Sequence, residues 1–279
     1  MVSFAVMGIV QSELLDNAIA QLPTYEHRVL YYGPMAMDEV VATVGDLHKV
    51  PATLKTIEKN ETFQYQRAEE DIVYIAPYDA NQIYMSAVSN QGEMYDVKKT
   101  PIVTMYNEYF GGGMNSIVFQ EMREARGLAY SSQAILANPS YKNDAYMFFA
   151  FIATQNDKMK TAIEAFDEII NDMPQSQAAF DVAKDALISR MRTDRIVRSG
   201  ILSKYMSDRE LGITEPREKQ IFETVQTLTF EDVKATQEKW VKDRTYVYGV
   251  LGDIKDLDTR YLKTLGPVQE LSLEEIFGY

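Results

Sequence analysis

Four segments rich in β-forming residues constrain the fold most, because they come in two closely spaced pairs. DIVYIAPY (71–78) and QIYMSAVSN (82–90) form the first pair. AYSSQAILA (129–137) and AYMFFAFIAT (145–154) form the second, and the turn-rich stretch between them predicts a hairpin loop. With TYVYGVLG (245–252) as a further strand, the chain from about residue 71 is expected to be α+β, with a mostly antiparallel sheet of five or six strands backed by helices.

Helical segments lie between and after these strands. Residues 96–110 predict a helix that begins near Pro101 and is broken by the glycines that follow. Residues 115–126 predict another helix, with Asn115 as its N-cap and Gly127 as its C′ residue. The remaining predicted helices cover 156–172, 177–210, 216–226, a segment whose Thr229-x-x-Asp232 start resembles a capping box, and 254–266.

The first 51 residues show a separate helix–strand–helix pattern. Residues 11–22 have helical apolar spacing, 27–34 (HRVLYYGP) predict a short buried strand, and 37–50 predict a helix that Pro51 ends. A similar strand–glycine–helix–proline order recurs from 245 to 267, although chance can produce such units in any α/β chain. We interpret 1–51 as the tail of a preceding module, 52–70 as a linker and 71–279 as a complete module, so that the chain would be cut from a longer polypeptide.

The charge and the amino-acid composition narrow the classes of function. The formal net charge of −13 argues against sequence-independent nucleic-acid binding and against docking on an anionic membrane. The negative charge fits a role in keeping the protein soluble. A more specific alternative is that it favours the binding of basic peptides. No apolar run reaches the ~20 residues needed to span a bilayer, so we expect no membrane insertion. The compartment stays open, and a bacterial envelope and a cytoplasm are both compatible with the sequence.

Few residues could hold a metal or act as a nucleophile. The chain has no cysteine and only two histidines, His27 and His48, which lie in neither an HExxH nor an HxxEH motif. Zinc needs three or four ligands in a fixed arrangement, so surface or helix-capping roles suit both histidines better. An all-carboxylate magnesium or calcium site stays open, although no DxDxDG-like loop is present. There is no GxSxG motif, and the glycines 111–113 lack the Gly-Lys-Ser/Thr ending of a phosphate-binding loop.

One segment carries a family resemblance. YFGGGMNSIVFQEMREARGLAYS (109–131) combines a glycine-rich break, a short helix and an R-E-x-x-G-L-A-Y stretch that runs from Arg123 to Tyr130. It resembles the metal-free modules of pitrilysin/insulinase-type zinc metallopeptidases, and the order of elements extends the resemblance over about three quarters of the chain. The family often has Ser-Arg-Leu-Phe after the glycines, whereas this chain has Ser-Ile-Val-Phe, which removes a basic contact at Ile117.

The resemblance implies an arrangement and a set of roles. Such peptidases enclose a chamber between a zinc-bearing module and metal-free modules. The HxxEH positions fall on residues 103–107 (VTMYN), so neither a ligand nor a general base is present, and we expect no metal and no cofactor in this chain, with zinc in the partner module. The family's Arg/Tyr pair maps onto Arg123 and Tyr130, for positioning the substrate and stabilising the transition state. Its substrate-contacting loop maps onto Gly111, Gly112 and Gly113.

These roles have structural alternatives. Arg123 could pair with a nearby carboxylate, Tyr130 could be half buried in the core, and the glycines could simply end a helix. Arg126 competes for the cationic role, but its spacing to Tyr130 does not match the family's.

The favoured function is therefore a substrate-holding, non-zinc module of a metalloendopeptidase, which is inactive alone and acts with a zinc module in the same polypeptide or in a partner subunit. The alternatives are a non-enzymatic scaffold of the same fold and an unrelated ligand-binding α+β protein.

Overall fold

The structure is a computed structural model that describes residues 12–57, 67, 69–90 and 92–278. The chain divides into two compact units. The first comprises Met1–Phe63, Ile196–Met206 and Phe277–Tyr279, and the second comprises Gln64–Arg195 and Ser207–Ile276. Within the described ranges, no helix has the length and apolar character needed to cross a bilayer.

A six-stranded sheet forms the centre of the second unit. Its strands are β1 (Ile72–Pro77), β2 (Gln82–Ser89), β3 (Ser131–Ala137), β4 (Met147–Gln155), β5 (Val247–Gly252) and β6 (Val268–Glu270). The order across the sheet is β3-β4-β2-β5-β1-β6, with the first three pairings antiparallel and the last two parallel. The predicted α+β fold with a mostly antiparallel sheet is confirmed. The predicted hairpin strands are antiparallel neighbours, with Ser131 opposite Ala153.

The alternation of side chains along β2 shows where the core lies. Ile83, Met85 and Ala87 are buried, whereas Tyr84 and Ser86 between them are only half-buried. Because successive side chains of a strand point to opposite faces, one face of the sheet carries the core. The other face is partly open to solvent.

The described residues also form helices, which flank and connect the strands. They are α1 (Ser12–Gln21), α2 (Met37–Leu47), α3 (Thr100–Phe110), α4 (Ile117–Phe119), α5 (Met159–Asn171), α6 (Gln177–Thr193), α7 (Arg198–Glu210), α8 (Arg217–Val225), α9 (Phe230–Trp240), α10 (Thr259–Leu265) and α11 (Leu273–Phe277). In the second unit, α3 contacts α6, α8, α9 and β3, and it buries large aromatic side chains such as Tyr109 and Phe110. Pro101 lies in its first turn, as predicted, and the capping box at Thr229 and Asp232 is also confirmed.

The first unit contains α1 and α2, close to the predicted ranges. Neither helix has a buried residue among its described side chains. The strand predicted at 27–34 is wrong, because this stretch forms no ladder with any residue that the structure describes. Instead, Tyr25 and Lys55 form an isolated β-bridge just before it, in which the Glu26 N–H donates to the Lys55 carbonyl at 2.8 Å. The residues of HRVLYYGP favour a β-strand because their side chains pack well against a neighbouring strand. Without such a neighbour, this preference does not produce a strand.

Two other predictions about elements need correction. The single helix predicted over 177–210 is two helices, α6 and α7, and the backbone turns extended at Asp194. The intervening residues 194–197 (DRIV) contain neither proline nor glycine, so the sequence does not signal the break. The last predicted helix begins only at Thr259, and the three-residue strand β6 was not predicted. The predicted linker 52–70 lies partly outside the described residues, and the module boundaries stay predictions.

Candidate functional site

Helix α3 carries the positions onto which the zinc motif would map. Val103, Met105 and Tyr106 are fully buried there. The Tyr106 hydroxyl donates a hydrogen bond to the side-chain carbonyl of Gln237, and burial raises the pKa of Tyr106 well above its ordinary value. These side chains do not fit a zinc ion, because the positions are used for packing the core.

The last of those positions, Asn107, joins α3 to the edge of the sheet. Its side-chain oxygen accepts a hydrogen bond from the Leu136 N–H at 2.8 Å, and its side-chain nitrogen donates to the Leu136 carbonyl at 3.0 Å. Leu136 lies on β3, whose outer edge pairs with no other strand among the described residues. The amide therefore satisfies two backbone groups that an edge strand leaves unpaired.

The two histidines lie in the first unit and contact each other. Their Nε2 atoms are 2.7 Å apart, and Nδ1 of His27 lies 2.6 Å from the carbonyl oxygen of Tyr25. His48 is the C-cap residue of α2, which agrees with the predicted capping position. The contact itself left no signal in the sequence. Among the residues that the structure describes, no group of three potential ligands converges on one point.

The three glycines after α3 have different surroundings. A Cβ atom at Gly111 would lie 2.0 Å from the backbone oxygen of Ala134 on β3, so glycine is required for this close approach. A Cβ at Gly112 would lie 2.7 Å from the carbonyl oxygen of Asn107, at the end of the helix. A Cβ at Gly113 would meet nothing within 4 Å. Packing thus explains the first glycine fully, whereas a side chain at Gly113 would face open space.

The helix that carries Arg123 has an unusual turn. After α4 the chain continues as a π-helical turn over Gln120–Ala125. The wider winding is visible where the Arg126 N–H donates to the carbonyl of Glu121, five residues earlier, at 3.1 Å. Turns of this kind are rare, and those that occur are frequently found at functional sites. No residue pattern predicted this one.

Of the two capping residues predicted for this helical segment, one is wrong and one is confirmed. The helix begins after Ser116, so Asn115 is not its N-cap. Gly127 follows the π-helical turn with φ of 57°, which confirms the predicted C′ glycine. The chain then reverses, and the Tyr130 N–H donates to the Ala153 carbonyl on β4 at 2.9 Å.

This reversal brings Arg123 and Tyr130 together. The guanidinium carbon of Arg123 lies 5.7 Å from the centre of the Tyr130 ring and 5.1 Å from that of Phe119. Both distances suit a cation–π contact. Tyr130 is 74% exposed, so it is not buried in the core. Arg123 is also substantially exposed, and Glu124 is 3.8 Å away, which makes a weak ion pair.

The competing cation, Arg126, is held elsewhere. Its guanidinium donates to both carboxylate oxygens of Glu168, at 2.9 and 3.4 Å, and Glu121 lies 3.5 Å away. The Glu168 hydrogen bond is the main reason that the pKa of Arg126 rises above its usual value. Arg126 therefore has a structural partner of the kind that the alternative interpretation assigned to Arg123.

Arg123 and Tyr130 line one open cleft of about 260 Å³. Gln82, Thr154 and Gln155 contribute from the ends of β2 and β4. Lys158 also lines the cleft and donates from Nζ to the Gly127 carbonyl at 3.2 Å. Lys158 was not among the predicted site residues, because it lies 35 positions beyond Arg123 and in no motif with it. The cleft offers two cations, a phenolic hydroxyl and polar amides to a ligand.

Comparison with known proteins identifies the class to which this fold belongs. The family model for the peptidase M16 inactive domain matches residues 29–187, more than half of the chain. The chain therefore belongs to the peptidase M16 inactive-domain family. No curated protein matches it in sequence.

Several solved structures share the fold. One is a peptidase M16 inactive domain from Pseudomonas fluorescens, with 18% identity and a TM-score of 0.60 over 78% of this chain and 51% of that one. A conserved protein from Enterococcus faecalis has 14% identity and a TM-score of 0.62, over 80% and 51%. A protease from Helicobacter pylori has 14% identity and a TM-score of 0.57, over 78% and 53%. At these identities the likeness is one of fold, and the chain spans about half the length of each structure.

Proposed function

We propose that this chain is the substrate-holding module of a zinc metalloendopeptidase and that Arg123 and Tyr130 hold the peptide. The observation that carries the proposal is that both side chains line one open cleft, where neither is committed to a strong structural partner. Zinc and the hydrolytic step belong to a second module, in the same polypeptide or in a partner subunit.

The chemistry of the pair suits positioning. An arginine presents several N–H donors in a fixed plane, and the contacts with Phe119 and Tyr130 restrict the orientation of that plane. The Tyr130 hydroxyl can donate to a peptide carbonyl. Neither group needs to change its protonation state, so both can act on a peptide by hydrogen bonding alone.

The first unit offers a surface for the partner module. Leu14, Leu15 and Ile19 are exposed on α1, and Met37, Val41 and Leu47 are exposed on α2. Contiguous exposed apolar side chains mark surfaces that contact another protein, and these two helices are the candidates for such a surface in the first unit. This supports a partner for the chain and is equally compatible with the scaffold alternative, so the cleft must distinguish the two functions.

The test uses the complete peptidase, assembled from this chain and the HxxEH-bearing module encoded with it or beside it. Arg123→Ala and Tyr130→Phe should each lower the turnover of a peptide substrate, by roughly 100- to 1,000-fold if the lost donor acts on the developing oxyanion. Tyr130→Phe keeps the ring against Arg123 and removes only the hydroxyl. Melting curves and zinc content should stay close to those of the wild type.

Arg126→Ala is the matched control, because this arginine lies in the same segment but is paired with Glu168. It should leave turnover nearly unchanged. Wild-type turnover in both Arg123→Ala and Tyr130→Phe would reject the proposed role of the pair and favour a scaffold.

A further inference from the structure

The charge of the cleft differs from that of the chain. The residues that line it are Gln82, Arg123, Gly127, Leu128, Ala129, Tyr130, Thr154, Gln155 and Lys158. Two of them are cationic and none is a carboxylate, although the chain as a whole has a net charge of −13. The overall negative charge of the protein favours cationic ligands. The basic cleft, in contrast, attracts an anionic group at short range.

The donors of Arg123 are available to a ligand. The guanidinium lies against two aromatic rings, which hold its plane while its N–H groups can still donate in that plane. The Glu124 carboxylate, at 3.8 Å, is beyond hydrogen-bonding distance, and both side chains are about half exposed to water. Arg126 shows the contrast, because Glu168 accepts from both of its terminal nitrogens.

Lys158 is oriented toward the same cleft. Its hydrogen bond to the Gly127 carbonyl fixes the ammonium group beside the turn that leads to Tyr130. An ammonium group has three donors, so two remain after this bond. A neutral peptide carbonyl would accept from Arg123 or Tyr130 and would not engage the remaining donors of Lys158, whereas an anionic group could accept from all three residues.

We infer that the cleft binds a carboxylate of the peptide, either its C-terminal group or an Asp or Glu side chain. A carboxylate accepts two parallel hydrogen bonds from an arginine and still has lone pairs for an ammonium and a phenol. This inference rests on the proposed peptide-holding function and adds the chemical class of the group that is held. Lys158 is the residue that sets the preference for charge.

The experiment measures the binding of three short peptides to the chain by fluorescence anisotropy, each labelled with an uncharged fluorophore. The first has a free C-terminus and no acidic side chain, the second is amidated and has one internal Glu, and the third is amidated with Gln in place of that Glu. The first, the second or both should bind about tenfold tighter than the third, since charge-assisted hydrogen bonds are the stronger ones. The arm that gains affinity identifies the source of the carboxylate, and added salt should reduce the gain.

Lys158→Gln should abolish the difference between acidic and neutral peptides. Lys160→Gln is the matched control, because Lys160 is two residues away, is exposed, pairs with Glu164 and does not line the cleft. It should leave the difference intact. Equal binding of all three peptides, with a common loss in Arg123→Gln, would overturn the carboxylate site and leave the peptide-holding function standing.

If none of the peptides binds, the peptide-holding function fails, and a second measurement decides on the carboxylate. N-acetylglycine, which has one carboxylate, and its amide, which has none, are titrated while the Nε–H resonance of Arg123 is followed by NMR, assigned through its loss in Arg123→Lys. A shift with the acid alone supports the carboxylate site without a peptide role. The absence of a shift overturns both.

Discussion

Gly111 and Gly113 are two residues apart, yet their surroundings in the structure differ. Any side chain at Gly111 would collide with the backbone of β3, whereas Gly113 faces open space. Gly111→Ala should therefore lower the free energy of unfolding by about 1–3 kcal/mol or more, because backbone atoms on both sides must move apart. Gly113→Ala should leave the melting temperature nearly unchanged.

The same pair of variants tests the predicted substrate contact of the glycine loop. In the assembled peptidase, Gly113→Ala should raise KM if the loop backbone approaches the peptide, since an added methyl would stand between them. Peptide hydrolysis and thermal melting, measured on both variants, separate the two roles. An unchanged KM in Gly113→Ala would leave only the packing role of Gly111.

At this scale the sequence predicted that Arg123 and Tyr130 lie close together, but it did not predict that Lys158 lies near them. Arg123 and Tyr130 could be placed together because a helix, a left-handed glycine and a strand start lie between them in one short segment. Lys158 could not, because only the pairing of β3 with β4 returns the chain to that place. Residue spacing reports contacts within a local motif, whereas contacts across a sheet depend on the register of the strands.

At the scale of elements, the contact between α3 and the edge strand β3 depends on one amide. Asn107→Ala would leave the N–H and the carbonyl of Leu136 without their side-chain partner in a buried place. An unsatisfied buried polar group costs about 1–3 kcal/mol. Hydrogen exchange at the Leu136 amide should accelerate, and the melting temperature should fall.

Asn107→Asp is the informative comparison, because it keeps the acceptor for the Leu136 N–H and removes the donor to its carbonyl. Asn107→Asp should also be less stable than the wild type, but hydrogen exchange at the Leu136 amide should be slower in it than in Asn107→Ala. Native-like exchange in both variants would mean that β3 does not need this side chain.

The elements that the sequence predicted well are those with a strong period and a local stop signal. The strand β2 has a two-residue alternation along its whole length, and α3 has a proline in its first turn and glycines at its end. The failures lack such signals. Residues 27–34 have β-forming composition but no neighbouring strand in the part of the chain that the structure describes, and the break between α6 and α7 follows no glycine or proline.

At the scale of the whole molecule, each of the two units has a separate relation to the proposed enzyme. The second unit has a continuous core and carries the cleft, whereas α1 and α2 of the first unit leave their apolar side chains exposed. The sequence could predict these helices from their spacing, but spacing does not say what covers them. Under the proposed function, the surface of a second protein module covers these apolar side chains.

Purified alone, the chain should hold no stoichiometric zinc and should hydrolyse no peptide, because the motif positions on α3 are packed in the core and only two histidines are present. Mixed with the zinc-bearing module, it should form a complex that hydrolyses peptide and carries its zinc in that module. Elemental analysis of each component and of the complex, with steady-state hydrolysis, makes the measurement. The complex with the Arg123→Ala chain is the control, since it should assemble and keep its zinc but turn over slowly. One tightly bound zinc per isolated chain, or chelator-sensitive hydrolysis by the chain alone, would contradict the proposal that zinc and hydrolysis belong to the other module.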